Sequence, residues 1–253
     1  KMRPKSAAAK PFTSHTNRKN GQIGGKLAGG ASLAALAAGL ALGGGVLTAP
    51  SAYALAGILA TGSGPGPLTV SAPAVVTETN GDGINATNNS PGTDLTITAT
   101  DVSASQDGID ATNNGTGALL VTSTGSVTAT NLGIRANNFG TDLTIAAASV
   151  SGSDGIIVDN RGTGSLSVTS TGSVTGTNSR GLAAQNNSTG LNMSVNVANV
   201  TGATDGVFAQ NNGRGAMSVT STGTVVGTGR YGIDARKSGT DMTVSAVSVS
   251  GNA

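Results

Sequence analysis

Gly83-Ile84-Asn85-Ala86-Thr87-Asn88 returns as Gly108-Ile109-Asp110-Ala111-Thr112-Asn113 and again as Gly133-Ile134-Arg135-Ala136-Asn137-Asn138. Shorter echoes open at Gly155-Ile156, Gly181-Leu182, Gly206-Val207 and Gly232-Ile233, giving intervals of 25, 25, 22, 26, 25 and 26 residues. A period held over seven copies marks a stacked-repeat architecture, in which each unit buries its apolar face against its neighbours.

Within each copy the apolar residues alternate with polar ones, as a strand with one buried face requires. The first columns are Ile84/Ala86, Ile109/Ala111, Ile134/Ala136, Ile156/Val158, Leu182/Ala184, Val207/Ala209 and Ile233/Ala235. The second are Leu95/Ile97, Leu119/Val121, Leu143/Ile145, Leu166/Val168, Met193/Val195, Met217/Val219 and Met242/Val244. A third column runs Val102, Val127, Val150, Val174, Val200, Val225 and Val249, each with Ala or Gly two residues later. Three short strands per repeat, separated by Gly, Ser, Thr and Asn, describe one triangular coil. Such a repeat has no helical segment and is shorter than the ~30 residues of a βαβ unit. Each strand must therefore pair with its counterpart one coil away. The expectation is an all-β, three-stranded parallel β-helix over residues 83–253. About seven coils at ~4.8 Å each make it on the order of 34 Å long. Residues 55–82 are assigned to a linker or N-terminal cap.

One polar column shares the inward register. Asn88, Asn113, Asn138, Asn160, Asn186 and Asn211 fall two residues after the second inward position, and Lys237 replaces Asn in the last copy. Stacked amides there would bond to the coils above and below and to the turn backbone. Asn is also a common turn residue for local reasons, and the sequence leaves both readings open. A longer period is superimposed: Gly-Thr-Asp stands at 92–94, 140–142 and 239–241, and Val-Thr-Ser-Thr-Gly opens at 121, 168 and 219. The gene unit is thus two coils, while one coil is taken as the physical unit.

Composition agrees with thin layers rather than one deep core. The 253 residues include 40 Gly but only two Tyr, three Phe and no Trp, and 10% are charged, against roughly 25% in ordinary soluble domains. There is no Cys, which excludes disulfides, thiolate nucleophiles and Cys-ligated metals. The single His is His15, so a form lacking the first residues has no imidazole for catalysis.

The formal charge of +2 hides an asymmetry. Residues 1–54 carry Lys1, Arg3, Lys5, Lys10, Arg18, Lys19 and Lys26 and no acid, which leaves seven basic residues against twelve acidic ones beyond them, a net of −5. That balance argues against nucleic acid as a partner of the body. The basic stretch precedes an apolar run, Leu27 to Leu47, and then Ala52-Tyr53-Ala54. Basic, apolar and small-x-small parts in that order are those of a secretory signal, with cleavage expected after Ala54. A membrane anchor is the weaker reading, because only seven of the 21 apolar-run residues are Leu or Val. Arg18 is followed by Lys19, which disfavours a twin-Arg signal.

Taken together, this long leader and the repeat over residues 83–253 resemble the passenger of bacterial autotransporter adhesins of the type V secretion class. The resemblance implies a right-handed β-helix and export to the cell surface, the outer membrane or the medium. It also implies a translocator barrel in the outer membrane, and an unknown surface ligand, whether a host protein, a glycan or another cell. No stretch has the ten-residue alternation and aromatic girdles of such a barrel. The coils are expected to continue past Ala253, since the last copy carries no capping segment.

Candidate chemistry is sparse, and the expectation is a scaffold rather than an enzyme. No catalytic, cofactor-binding or metal-binding residue is assigned. The alternative is a polysaccharide-processing β-helix enzyme of the pectin-lyase-like kind. For it, Asp82 and Asp107 occupy equivalent positions in adjacent coils, ~5 Å apart, near the carboxyl spacing of a retaining glycosidase. Asp before Gly is equally ordinary turn chemistry. Asn80-Gly81-Asp82-Gly83 and Ser153-Asp154-Gly155 lack the nonapeptide array that holds calcium between coils. Thr122/Thr124, Thr169/Thr171 and Thr220/Thr222 suggest an ice-binding array, but the intervening coils interrupt it. Arg135, Arg161, Arg180, Arg214, Arg230 and Arg236, with Phe208 and Tyr231, offer a possible contact surface. The sequence shows no clustering among them, and scattered charge is expected merely to solvate the face.

Overall fold

Alternation at period two gives strands whose odd and even residues part company. In Ile84–Asn88, Ile84, Ala86 and Asn88 are buried while Asn85 and Thr87 are partly exposed, and the same pattern returns in Ile109–Asn113. The computed structural model describes residues 39–41, 45–48 and 57–252, all within the unit 34–253. The basic residues of the expected leader, and Ala54, after which cleavage is expected, lie outside the described residues. Among the described residues regular structure is entirely β, with no helix.

The chain winds through about eight turns of a parallel β-solenoid, with coils over 58–78, 84–104, 109–129, 132–152, 154–176, 182–202, 207–227 and 233–251, numbered 1 to 8 below. Ile58, Ile84, Ile109, Ile134, Ile156, Leu182, Val207 and Ile233 are successive partners in the first sheet. Leu68, Leu95, Leu119, Leu143, Leu166, Met193, Met217 and Met242 succeed one another in the second. The valine column continues from Val76 through Val102 and Val127 to Val249. Each buried Ile, Leu or Val contributes roughly 1.5–3 kcal/mol relative to exposure. A single coil holds few of them, so stability comes from the stack.

The recurrent Gly before each Ile, Leu or Val of the first column has a steric cause. A Cβ on Gly108 would lie 2.5 Å from Val127 Cγ1 and equally close to the carbonyl oxygen of Gly133, and the equivalent glycines of coils 2 to 8 meet the valine column in the same way. The corner closes only because nothing stands between the residue that opens a coil and the third strand of that same coil.

Three features differ from the sequence expectation. Residues 58–78, assigned to a linker or cap, form a full coil whose strands Ile58–Gly62, Leu68–Ala72 and Val76–Glu78 pair with coil 2. Short strands Gly39–Ala41 and Gly45–Thr48, from the stretch read as the apolar part of the leader, pair in parallel with the first two of these. From coil 3 onward the second and third strands run on as single elements, such as Leu119–Ala129, with a register shift between Ser123 and Ser126 that turns the corner.

The corners on either side of the second strand also explain the two-coil period. Even coils project an acceptor from their turns and odd coils leave room for it. Asp94, Asp142 and Asn192 accept the N–H of Ala118, Ser165 and Ala216 at 2.7, 2.7 and 2.9 Å. A Cβ on the adjacent Gly117, Gly164 or Gly215 would collide with the accepting oxygen. Asp101 and Asn199 do the same for Ser126 and Thr224 at the second corner, at 2.7 and 3.0 Å. Coils 3, 5 and 7 carry an extra glycine there, Gly125, Gly172 or Gly223, and an inward Ser whose hydroxyl donates to the preceding coil, as Ser123 does to Thr100 at 2.9 Å. Neighbouring coils are complementary rather than identical, so the pair is a physical unit as well as a genetic one.

Candidate partner-binding surface

The corner leading into the first sheet is built around a backbone need. The N–H that opens a coil at this corner must find an acceptor, and at four of these corners an Asp one repeat earlier supplies it. Asp82 Oδ1 accepts from Asp107 N at 3.1 Å, Asp107 Oδ1 from Leu132 N at 3.1 Å, Asp154 Oδ1 from Arg180 N at 3.1 Å and Asp205 Oδ1 from Tyr231 N at 3.3 Å. The second carboxylate oxygen of Asp82, Asp107 and Asp205 meets side chains on the outside of the solenoid.

At coils 2 to 4 it organises an acidic corner. Asp82 Oδ2 accepts from Asn85 at 2.9 Å. Buried Asp107 accepts from Asn131 at 2.6 Å and pairs with Arg135 at 3.2 Å. Arg135 also grips Asp110 through Nε at 3.0 Å and through a terminal nitrogen. The Asp110 hydrogen bond and the nearby carboxylates of Asp110, Asp107 and Asp82 hold the Arg135 guanidinium above its ordinary pKa against its partial burial. One guanidinium thus pairs with two carboxylates, Asp107 and Asp110, and lies in the field of a third, Asp82. The two carboxylates considered for glycosidase chemistry are both committed to these bonds.

At coils 6 to 8 the balance reverses. Asp205, fully buried, receives Arg180 at 3.3 Å and Arg230 at 3.5 Å on the same oxygen. Phe208 projects outward from the first sheet, yet only 6% of it is exposed. Arg180 from coil 6 and Arg236 from coil 8 cover its ring at 4.6 and 5.2 Å, within the range of cation–π attraction. Arg230 lies 5.1 Å from the ring of Tyr231. Arg236 makes a bidentate pair with Asp234, and that hydrogen bond raises its pKa. Five residues treated as scattered on sequence grounds, Arg180, Arg230, Arg236, Phe208 and Tyr231, therefore form one cluster around Asp205. Arg135 belongs to the acidic corner, and Arg161 sits apart with Phe139 and Asp159.

No protein-family model, curated protein or solved structure matches the chain. The reading of this surface accordingly rests on its own geometry.

Beneath it runs the asparagine column. Asn88, Asn113, Asn138, Asn160, Asn186 and Asn211 are all buried, and each of the first five donates its amide to the next at 3.1 Å. Their amides also reach turn carbonyls, as Asn138 does with Thr141 and Asp142 at 3.0 Å, while Asn138 Oδ1 accepts from Gly140 N at 3.3 Å. Gly62 is the partner of Asn88 in coil 1 and offers no side chain, so Asn88 Oδ1 is left without a partner. At the other end Lys237 takes the Asn position and turns its ammonium to Gly213 O at 3.1 Å. The column belongs to the interior and shapes the corner from within.

The hydroxyl array lies one step from where the sequence put it. In the second sheet the outward pairs are Thr96/Thr98, Leu120/Thr122, Thr144/Ala146 and Ser167/Thr169. Thr124 lies past Ser123, in the stretch where the register shifts, not on the flat face. Among the described residues no group of three or more His, Cys, Asp or Glu is placed to hold a metal ion. The clustering at Asp205 had one sequence signal: Arg180, Asp205 and Tyr231 share a register position 25 and 26 residues apart.

Proposed function

We propose that the chain is the exported passenger of a bacterial autotransporter, a β-helical scaffold for partner binding at the cell surface rather than an enzyme. The observation that carries this is the contrast between an interior repeated over eight coils and an outer corner that changes sign along the stack. A solenoid of this kind presents side chains in fixed rows on a stiff support. The basic, apolar and small-x-small order of residues 1–54 supports export. Cleavage after Ala54 leaves coil 1 as the first layer. The commitment of Asp82 and Asp107 to structural bonds supports the non-catalytic reading.

Expression in a bacterium with an outer membrane, followed by N-terminal sequencing of the exported form and protease treatment of intact cells, tests the proposal. A mature start at Leu55 and digestion from outside are expected. An uncleaved chain protected inside the cell would contradict it. Cleavage of acidic or neutral glycans that Asp107→Asn abolishes would replace the scaffold with the enzyme.

A further inference from the structure

The cluster at coils 6 to 8 has the chemistry of a receptor for an anion carried on a polymer. Three guanidiniums, Arg180, Arg230 and Arg236, face two carboxylates, and those carboxylates are the better covered: the side chains of Asp205 and Asp234 are 0% and 11% exposed, whereas the three arginines are 35%, 48% and 54% exposed. Solvent therefore meets an excess of positive charge. Arg180 and Arg230 converge on the single oxygen Asp205 Oδ2, which sets two planar forks side by side. Each fork has five N–H donors and spends few of them on Asp205. The remaining donors suit one carboxylate or sulfate bound by both arginines, with little ordering cost because the buried Asp already fixes them.

The rings narrow the class of polymer. Tyr231 is 42% exposed beside Arg230 and offers an apolar face with a polar edge, which suits the C–H face of a sugar ring. Phe208 lies covered beneath Arg180 and Arg236, so it cannot serve as the stacking platform on which single-stranded nucleic acid depends. The body beyond residue 54 carries a net of −5, and the acidic corner lies on the same sheet, which opposes a long, densely charged strand. A glycan with its charges spaced along the chain meets the basic corner without meeting that repulsion in full.

We propose that Arg180, Arg230, Arg236 and Tyr231 form a binding face for an acidic polysaccharide, one oxyanion seated between Arg180 and Arg230 and a sugar ring against Tyr231. This rests on the reading of the chain as a displayed scaffold. Export is measured separately, so loss of glycan binding with export intact refutes the present inference alone.

The test uses the full chain with its seven Lys and Arg of residues 1–26 changed to Gln, so that the leader adds no binding. The probes are dextran sulfate, polygalacturonate, neutral dextran and single-stranded DNA of similar length. Binding to at least one of the two anionic glycans is expected, and the preferred one tells a sulfate from a carboxylate ligand. Neutral dextran should not bind, and DNA should bind at least about tenfold more weakly. Arg180→Gln/Arg230→Gln/Asp205→Asn, which removes the pair without stranding a buried charge, should weaken glycan binding about tenfold or more. Arg236→Gln leaves Asp205 paired and should weaken it about threefold, and Arg135→Gln at the acidic corner should leave it unchanged. Thermal melts establish that each variant is folded. Failure of both anionic glycans to bind, equal binding of dextran or DNA, or undiminished binding by both cluster variants would overturn the proposal.

Discussion

The corner at coil 3 and the corner at coil 7 begin from the same residue for the same reason. Asp107 and Asp205 each accept the N–H that opens the following coil, and each is nearly or fully buried. Around Asp107 stand Asp82, Asp110 and one arginine. Around Asp205 stand two arginines and, close by, two aromatic rings. The backbone fixes the aspartate and leaves its surroundings free, so a stack with one interior carries surfaces of opposite sign. Constancy along a column reports folding, and departure from it reports what the surface is for.

If the interior is indifferent to what lies outside, Asn138→Ala and Asn186→Ala should cost the same although they underlie different corners. Each strands buried amides or carbonyls of neighbouring coils, and a loss of about 3 kcal/mol is expected from two or three unmet polar groups. Urea melts of the two variants check this, and costs differing by more than about 1 kcal/mol would tie the interior to the charge outside. The corners themselves should respond unequally. Arg180→Ala/Arg230→Ala leaves Asp205 buried with only the Tyr231 N–H and should destabilise by about 3 kcal/mol. Arg135→Ala leaves Asp107 with Asn131 and the Leu132 N–H and should cost about 1 kcal/mol. Equal costs would erase the distinction between the corners.

A smaller effect sharpens the picture at the acidic end. Glu78 accepts N–H bonds from Gly57 and Asn80, each at 2.9 Å. These bonds, that from Asn80 foremost, lower its pKa below the ordinary 4.5. A carboxylate whose folded pKa is depressed contributes stability that is present above its unfolded value and lost as pH falls through the folded one. Amide exchange at Gly57 and Asn80 should therefore accelerate as pH falls below 4.5 relative to amides of coil 4. In Glu78→Gln that pH dependence should vanish. The smallest change is at Gly62: Gly62→Asn would bring a donor near Asn88 Oδ1, but its Cβ would stand 2.8 Å from that same oxygen and 3.3 Å from Leu68 Cβ. The hydrogen bond's gain of about 0.5–1 kcal/mol should therefore be offset and the melting temperature left nearly unchanged.

How much of this was legible follows from which forces repeat. The columns from Ile84, Leu95 and Val102 onward could be read because a strand with one buried face admits no other spacing. Coil 1 escaped because its equivalent of the asparagine is Gly62, and because Pro65, Pro67 and Pro73 give its turns the look of a linker. The pairing of Asp94 with Gly117 was visible as a two-coil period, but its cause is a carboxylate lying where a Cβ would be. The arginine cluster was least legible. It depends on long side chains crossing from coils 6 and 8 onto one ring in coil 7, and strand register alone does not determine where a guanidinium rests.

Everything depends on neighbouring coils lying in one register, and the chain's lack of cysteine makes that directly measurable by crosslinking. Thr144 and Ser167 are outward partners in the second sheet, whereas Ala146 partners Thr169. The double variant Thr144→Cys/Ser167→Cys should form an intramolecular disulfide readily under mild oxidation, because parallel partners lie within the Cα separation a disulfide tolerates. Ala146→Cys/Ser167→Cys, displaced by two residues, should not. Equal yields from the two pairs, or a higher yield from the displaced one, would contradict the stacked register on which the solenoid stands.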